Sequence, residues 1–224
     1  MFIPKEFDLA QQPMLWQLAE QRRFGSMVVL GGNAGAHSVH VPWLFDAGGT
    51  RLRSHIAARN PILSDIEAGA SALVIFSCAD AYISPRWYVE EADVPTWNYL
   101  VLEFEGTLHR LPHQQALEIL SDSSAAFEHD IGSSKPTWTH HELLDQRLAD
   151  HLARAIVGFE LRVRSARGAA KLSQDKVETD LEAVMGALER SDRPAAQALS
   201  RLMRQLKPLP RAPDLVPSTM PPGY

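Results

Sequence analysis

Short stretches of strand-like alternation, separated by glycine-rich turns, constrain the fold of this chain more than any other feature. Apolar and polar side chains alternate with a two-residue period in residues 37–41, 51–57, 97–111 and 156–164. Two short apolar runs, 26–30 and 72–76, bring the predicted number of strands to about six. Consecutive strands joined by tight turns favour an antiparallel barrel over a doubly wound parallel sheet.

Helical segments surround these strands. Periodicity and flanking Pro and Gly residues predict helices over 13–24, 112–129, 141–151, 177–189 and 194–206, with a short helix after Asn60. The predicted fold class is therefore α+β, mainly β with peripheral helices. We expect residues 1–175 to form the barrel domain with inserted helices, residues 176–207 a C-terminal helical appendage, and residues 208–224 a Pro-rich tail that is disordered or draped on a neighbour.

The charge of the chain argues against a broad nucleic-acid-binding surface. Its 22 basic and 27 acidic residues give a net charge of −5, whereas DNA binding relies on neutralising phosphates. The sequence has no apolar run of about eighteen residues that would predict a membrane span, and its N-terminus does not resemble a signal peptide. The single cysteine, Cys78, excludes an intrachain disulfide and a cysteine-cluster zinc site. We expect a cytoplasmic protein.

A predicted strand-to-helix corner gathers cationic side chains. Arg53 and His55 share one face of the strand, and Arg59 follows the end of the strand. Asn60 and Pro61 then form a typical helix start, with Asn60 as the cap. Backbone amides, the helix dipole and these side chains would converge, which suits a phosphate group. The alternative is a strand with a solvated basic face before an ordinary capped helix.

Two segments are rich in aromatic residues, a predicted loop and the residues that lead into the predicted 97–111 strand. Residues 81–88 include Tyr82 and Ser84, and residues 94–99 include Trp97 and Asn98. Aromatic side chains in such segments either pin the segment onto the barrel or form a wall against a flat ring. Asn98 can both donate to and accept from the edge of a heterocycle.

Another predicted loop, residues 168–174, contains Lys171, Ser173 and Gln174. It is either a capped helix start or the source of a second cation for an anionic ligand. The nine histidines are scattered, without a carboxylate in a recognisable metal-binding pattern, and no metal site is predicted. No Gly-x-Ser-x-Gly elbow supports a serine nucleophile, and no catalytic residue is identified.

Seven motifs occur in an order that resembles a known family. They are Met1-Phe-Ile-Pro-Lys-Glu-Phe, His40-Val-Pro-Trp-Leu, Leu52-Arg-Ser-His-Ile-Ala-Ala-Arg-Asn-Pro61, Ala81-Tyr-Ile-Ser-Pro-Arg-Trp-Tyr88, Val94-Pro-Thr-Trp-Asn-Tyr99, Ala155-Ile-Val-Gly-Phe-Glu160 and Lys171-Leu-Ser-Gln174. Together they resemble the PaiB-like family, described as FMN-binding negative transcriptional regulators, over residues 1–188. The resemblance implies a split β-barrel of the flavin-reductase and pyridoxamine-phosphate-oxidase type, usually a homodimer with FMN at the subunit interface.

The resemblance also assigns roles to individual residues. It implies that Arg53, Ser54, His55 and Asn60, next to the cationic Arg59, hold the FMN phosphate. It implies that Tyr82, Ser84, Trp97 and Asn98 line the flavin, and that Lys171, Ser173 and Gln174 reach the site from a late motif, in the same chain or across the dimer.

The chain departs from the family pattern at two positions. The family usually has a basic residue where this chain has Ala58, followed here by Arg59, and an asparagine where this chain has Asp175. The predicted function is an FMN-binding regulator of transcription that acts with or through a flavin. The alternatives are a flavin-dependent oxidoreductase acting on a small molecule, in which the flavin supplies most of the chemistry, and a barrel that has lost its cofactor.

Overall fold

The structure is a computed structural model that describes residues 1–9, 12–32, 35–90, 93–132 and 154–206. The helix predicted over 141–151 and the tail predicted over 208–224 lie outside these residues. Seven strands are present: β1 Phe24–Gly32, β2 Gly35–Pro42, β3 Leu44–Phe45, β4 Arg51–Ala57, β5 Ser71–Ile83, β6 Thr96–Arg110 and β7 Ile156–Lys171. The described α-helices are α1 Gln12–Arg22, α2 Leu63–Glu67, α3 His113–Asp130, α4 Glu178–Glu189 and α5 Pro194–Leu206, and short 3₁₀ helices span Lys5–Phe7 and Pro85–Trp87.

The chain divides into two compact units. The barrel unit comprises residues 11–76 and 102–167, and the helical unit comprises residues 1–10, 77–101 and 168–224. The barrel unit contains residues from all seven strands together with α1, α2 and α3. The helical unit contains α4 and α5.

The two edge strands of the sheet come together at one end. Its strand order is β2-β1-β5-β6-β7-β4-β3, and the ladders β1–β2, β1–β5, β3–β4 and β4–β7 are antiparallel. The edge strands β2 and β3 are consecutive in the chain, with only Trp43 between them. Near this join, the Ser54 hydroxyl donates to the carbonyl oxygen of Pro42 over 2.6 Å. The sheet is not closed by a ladder there, which is the arrangement of a split barrel.

Alternating side chains fill the barrel. In β4, Leu52, Ser54 and Ile56 are buried while Arg51 and Ala57 are exposed, as the two-residue period predicts. Aromatic rings pack edge to face inside, with Trp43 and Phe159 at 5.5 Å and Phe76 and Phe104 at 5.7 Å between ring centroids. Each such ring contributes about 1.5–3 kcal/mol by leaving water, and these rings form the centre of the core.

Helix α3 packs on the outer face of β4 and β7, and glycine permits the close approach. A Cβ atom at Gly158, which pairs with His55 in the β4–β7 ladder, would lie 3.0 Å from the Cα of Ala116 in α3. The helix therefore covers part of the strand face that carries Arg53 and His55.

Helices α4 and α5 of the helical unit pack against each other after a short connection. Ser200 in α5 donates to the carbonyl oxygen of Met185 in α4 over 2.9 Å. The Arg204 guanidinium lies 3.4 Å from Glu182 and 3.1 Å from Glu189, so one side chain of α5 contacts both halves of α4. Within the same unit, the buried Asp180 carboxylate accepts from the backbone amides of Val89 and Glu90 over 2.5 and 3.0 Å.

The fold class predicted from the sequence is confirmed, but several boundaries were wrong. The sheet has seven strands instead of about six, because β3 is only two residues long. Strand β5 continues to Ile83 and β7 to Lys171, so both strands extend into the loops predicted over residues 81–88 and 168–174. Helix α2 begins at Leu63, two residues after the predicted start at Pro61.

Candidate functional site

The outer face of β4 carries Arg53 and His55, as the alternation predicts. The guanidinium of Arg53 donates to the Asp122 carboxylate of α3 over 3.2 Å. About a quarter of the Arg53 side chain and half of the Asp122 side chain are exposed, at 26% and 49%. Arg53 is thus a partly exposed cation on a rigid strand, held by one carboxylate that solvent also reaches.

His55 lies deeper than Arg53. Its Nδ1 atom is buried and has no hydrogen-bond partner among the described residues. Burial lowers the pKa of the imidazole below its ordinary value of 6.5, because removing the ring from water disfavours the charged form. The lowered pKa favours the neutral imidazole at pH 7, so His55 adds less positive charge to this face than Arg53 does. A buried ring nitrogen without a partner is a group that a ligand can satisfy.

The turn after β4 exposes Arg59, and no ion pair of Arg59 is seen in the described part of the chain. The Asn60 side chain accepts from the backbone amide of Ile62, two residues on, over 3.1 Å, so it orders the turn that leads into α2. Helix α2 begins at Leu63 and has only five residues, and its dipole is correspondingly small. The helix N-terminus therefore contributes little to an anion site, and the cationic side chains remain.

Ser54 does not join Arg53 and His55. It is 1% exposed and lies on the core side of β4, where its hydroxyl binds Pro42. We call Arg53, His55 and Arg59 the β4 corner. It combines two permanent positive charges with a neutral imidazole, and these groups fit a phosphate by charge and by hydrogen-bonding capacity.

In the helical unit, the structure brings together two of the predicted flavin-lining residues. The rings of Tyr82 and Trp97 meet edge to face with centroids 6.3 Å apart. Both side chains remain largely exposed, at 46% and 54%. Large aromatic groups exposed in adjacent positions provide an apolar surface for a flat ring or for another protein.

Asn98 and Ser173 also meet, but in the interior of the helical unit. The Asn98 amide donates to the Ser173 hydroxyl over 2.8 Å, and the two residues are 0% and 3% exposed. The Asn98 Oδ1 atom is buried without a partner among the described residues. Ser173 has a φ of +59°, a left-handed conformation that is costly for a residue other than glycine. The pair therefore holds a strained, buried turn together.

The other predicted residues of this unit bind groups of the protein itself. Lys171 donates to the Thr96 hydroxyl over 2.5 Å, and its ammonium lies 5.8 Å from the centroid of the Phe7 ring. The Gln174 side chain is occupied by backbone groups, accepting from the Leu172 amide and donating to the carbonyl oxygens of Ala170 and Glu6. Ser84 accepts from the Arg86 amide over 3.3 Å. Gln174 and Ser84 thus order the backbone.

The negative charge at Asp175 is offset locally. The Lys176 ammonium lies 3.3 Å from Asp175 and 2.5 Å from Asp93. Against the opposing effect of burial, these carboxylates raise the pKa of Lys176 above its ordinary value. Asp175 therefore adds less negative potential than its sequence position suggests.

Sequence reasoning missed Asp122, the residue that contacts Arg53. It lies on α3, 69 positions along the chain from Arg53, and no local pattern pairs a helix carboxylate with a strand arginine. Only the packing of α3 against β4 reveals the contact.

A partly open antiparallel barrel with peripheral helices and a cationic strand corner defines a class, the flavin-binding split-barrel proteins. The family model described as "Putative FMN-binding domain" matches residues 1–165. The chain belongs to this FMN-binding family, and FMN is its cofactor. The protein "Protease synthase and sporulation protein PAI 2" of Bacillus subtilis is 30% identical over 205 residues, which are 91% of this chain and 96% of that protein.

Solved structures show the same fold at low sequence identity. The FAD and heme binding protein of Mycobacterium smegmatis superposes with a TM-score of 0.57 and 13% identity over 80% of each chain. The conserved hypothetical protein Rv2991 of Mycobacterium tuberculosis superposes with a TM-score of 0.55 and 12% identity, over 80% of this chain and 95% of that one. None of the described helices combines the length and apolarity needed to span a membrane.

Proposed function

We propose that this chain is an FMN-binding regulator of the PaiB type that acts through its flavin, and that the β4 corner holds the FMN phosphate. The observation that carries the proposal is the position of Arg53, a partly exposed guanidinium on a rigid strand beside a buried imidazole without a partner. Bound FMN supplies the electron-transfer chemistry of its ring system. The protein's part is to hold and orient it.

Each member of the β4 corner has a separate task in this proposal. Arg53 and Arg59 supply charge-assisted hydrogen bonds to phosphate oxygens, and such bonds are stronger than those between neutral groups. His55 supplies a hydrogen bond without adding charge, because burial keeps it neutral at pH 7. Asn60 keeps the turn that carries Arg59 in place.

The distribution of charge supports regulation without direct operator contact. Outside the β4 corner, several exposed arginines lie within 4 Å of a carboxylate: Arg51, Arg110, Arg162, Arg164, Arg167 and Arg204. The net charge of −5 also disfavours a broad contact with DNA phosphates.

We also propose that the working form is a homodimer. Large apolar side chains are exposed in the helical unit at Phe2, Tyr82, Val89, Val94 and Trp97. Exposed apolar groups of this size are a usual feature of protein–protein contacts. Light scattering on the purified protein would give the mass, and a monomer at micromolar concentration would contradict this part of the proposal.

A flavin-dependent oxidoreductase is the second candidate. The exposed pair Tyr82 and Trp97 favours it, because an open aromatic surface can accept a flat substrate or cofactor ring. Consumption of NADH or NADPH by the FMN-loaded protein would support the enzyme. Salt-sensitive, sequence-dependent retention of DNA would support a regulator that contacts its operator directly.

The phosphate assignment is tested by comparing FMN with riboflavin, which lacks the phosphate. We expect Arg53→Ala to weaken FMN binding about 10- to 100-fold, the value of a hydrogen bond to a charged group, and to leave riboflavin binding unchanged. Fluorescence titration measures both dissociation constants. Arg164→Ala is the matched control, because it removes an exposed arginine paired with Glu105 in the same unit. Equal losses for the two flavins, or no loss for FMN, would refute the assignment.

A further inference from the structure

Arg53 has an anionic partner within the protein. Its Nη2 atom lies 3.2 Å from the Asp122 carboxylate, and this contact occupies a donor that a phosphate could also use. Asp122 is half exposed, so its side chain can turn into water at low cost. The contact is therefore replaceable.

The neighbouring acidic groups are engaged elsewhere. Glu160 is opposite Arg53 in the β4–β7 ladder, but its buried carboxylate binds Arg162 at 2.7 Å and Arg51 at 3.4 Å. Arg51 in turn contacts Asp46 at 3.3 Å. Within the described residues, Asp122 is thus the carboxylate that phosphate would have to replace at Arg53.

We propose that the Asp122 carboxylate competes with the flavin phosphate for Arg53. This competition sets the ratio between the affinities of the protein for FMN and for riboflavin. The inference rests on the proposed phosphate site. Riboflavin has no phosphate and leaves the Arg53–Asp122 pair intact, whereas FMN must break it. The phosphate carries a charge of about −1.5 to −2 at pH 7, against −1 for the carboxylate. Arg53 therefore attracts the phosphate of FMN more strongly than it attracts Asp122.

Asp122 also restrains the Arg53 side chain. By holding the guanidinium against α3, it restricts a long and flexible side chain to one region. This restraint lowers the entropic cost of binding a phosphate, whereas the competition between the two anions weakens FMN binding. FMN binding would also release Asp122 of α3 from Arg53 of β4.

The test measures FMN and riboflavin affinities for the full chain and four variants: Asp122→Asn, Glu118→Gln, Arg53→Ala and the double variant Arg53→Ala/Asp122→Asn. Asn keeps the shape of Asp and removes its charge. We expect D122N to tighten FMN binding about 2- to 5-fold, the value of breaking a half-exposed ion pair, and to leave riboflavin binding unchanged. Adding D122N to R53A should give no further gain.

Glu118 is the control for long-range charge. It is exposed one turn before Asp122 on α3, so E118Q makes the same charge change on nearly the same helix face. We expect it to change FMN affinity less than 2-fold by the weak energetics of exposed charges. An equal gain from E118Q, or a D122N gain that persists in the absence of Arg53, would overturn the inference.

The outcomes separate the two proposals. If R53A weakens FMN binding but D122N does not tighten it, the phosphate site stands and the role of Asp122 is refuted. If R53A has no effect on FMN binding, the phosphate site itself is refuted, and the role of Asp122 is refuted with it. Circular dichroism and thermal melts confirm that each variant is folded before its affinities are compared.

Discussion

His55 differs from Arg53 and Arg59 in that its charge depends on pH near neutrality. Burial lowers its folded-state pKa below 6.5, so the unfolded chain takes up a proton at a higher pH than the folded chain does. Between pH 6.5 and the lower folded-state pKa, the unfolded state binds more protons, and the free energy of unfolding falls as the pH falls. Above pH 6.5 this contribution is constant.

We therefore expect His55→Gln to flatten the acid side of the stability profile. Urea unfolding at pH 7.5 and pH 5.5 should show a smaller loss of unfolding free energy in the variant than in the unmodified protein. Carboxylates also titrate in this range, but they are common to both proteins and cancel in the comparison. Parallel profiles for the two proteins would show that His55 is not buried as the structure describes.

At the scale of residues, the sequence predicted which face of a strand a side chain occupies but not what lies above that face. The alternation correctly placed Arg53 and His55 together. The neutral state of His55 and the contact of Arg53 with Asp122 depend on α3, which follows some sixty residues later in the chain. The same limit applies to Gln174, whose backbone partners include the carbonyl oxygen of Glu6 near the N-terminus. The proposed contacts of all these residues with flavin stay predictions.

At the scale of elements, the helices and strand centres were predictable and the strand ends were not. Helix α5 spans Pro194–Leu206, as the proline and the periodicity indicate. In β5, Ala72, Val74 and Phe76 are buried, and then Ala81 and Ile83, so the two-residue period resumes in the opposite phase after residues 78 and 79. The small and polar residues after Phe76 obscured that period in the sequence. The predicted domain boundaries at 175 and 207 stay a prediction.

Gly106 supports the pairing of β6 with β7. A Cβ atom at this position would lie 2.1 Å from the carbonyl oxygen of Arg162, and backbone cannot move away as a flexible side chain can. We expect Gly106→Ala to lower the free energy of unfolding by about 3 kcal/mol or more, since a strand would have to shift. Urea denaturation followed by circular dichroism measures the change.

Gly48→Ala is the matched control for this prediction. The added Cβ would meet Asp46 at 3.6 Å, an ordinary van der Waals distance, so the expected change is within about 0.5 kcal/mol. If both variants lose the same stability, the loss reflects the removal of glycine in general and not the close approach of two strands.

At the scale of the whole molecule, flavin binding and folding are linked. A ligand that binds only the folded chain stabilises it by about 2.7 kcal/mol at a concentration 100 times its dissociation constant. For a chain of this length, that free energy raises the melting temperature by about 5–10 °C. We expect this shift with FMN in differential scanning fluorimetry, and a smaller one with riboflavin at the same concentration. An unchanged melting temperature at saturating FMN would contradict FMN binding to the folded state.

The fold as a whole was the most predictable level. Many short strands with tight turns limit a chain to few architectures, and motifs in a fixed order identified the family. The division into two units was not predicted, because β5, β6 and β7 each contribute residues to both units. Composition changes little along these strands, so nothing in the local sequence marks where one unit ends.

The single residue between β2 and β3 limits how two copies of this chain can associate. An exposed sheet edge is where a second chain most readily adds a strand through backbone hydrogen bonds. Here Trp43 turns the two edge strands towards each other, and the tie from Ser54 to Pro42 holds them near the join. At this end of the sheet, a second copy would therefore meet side chains instead of a free backbone edge, and substitutions can alter such side chains one at a time.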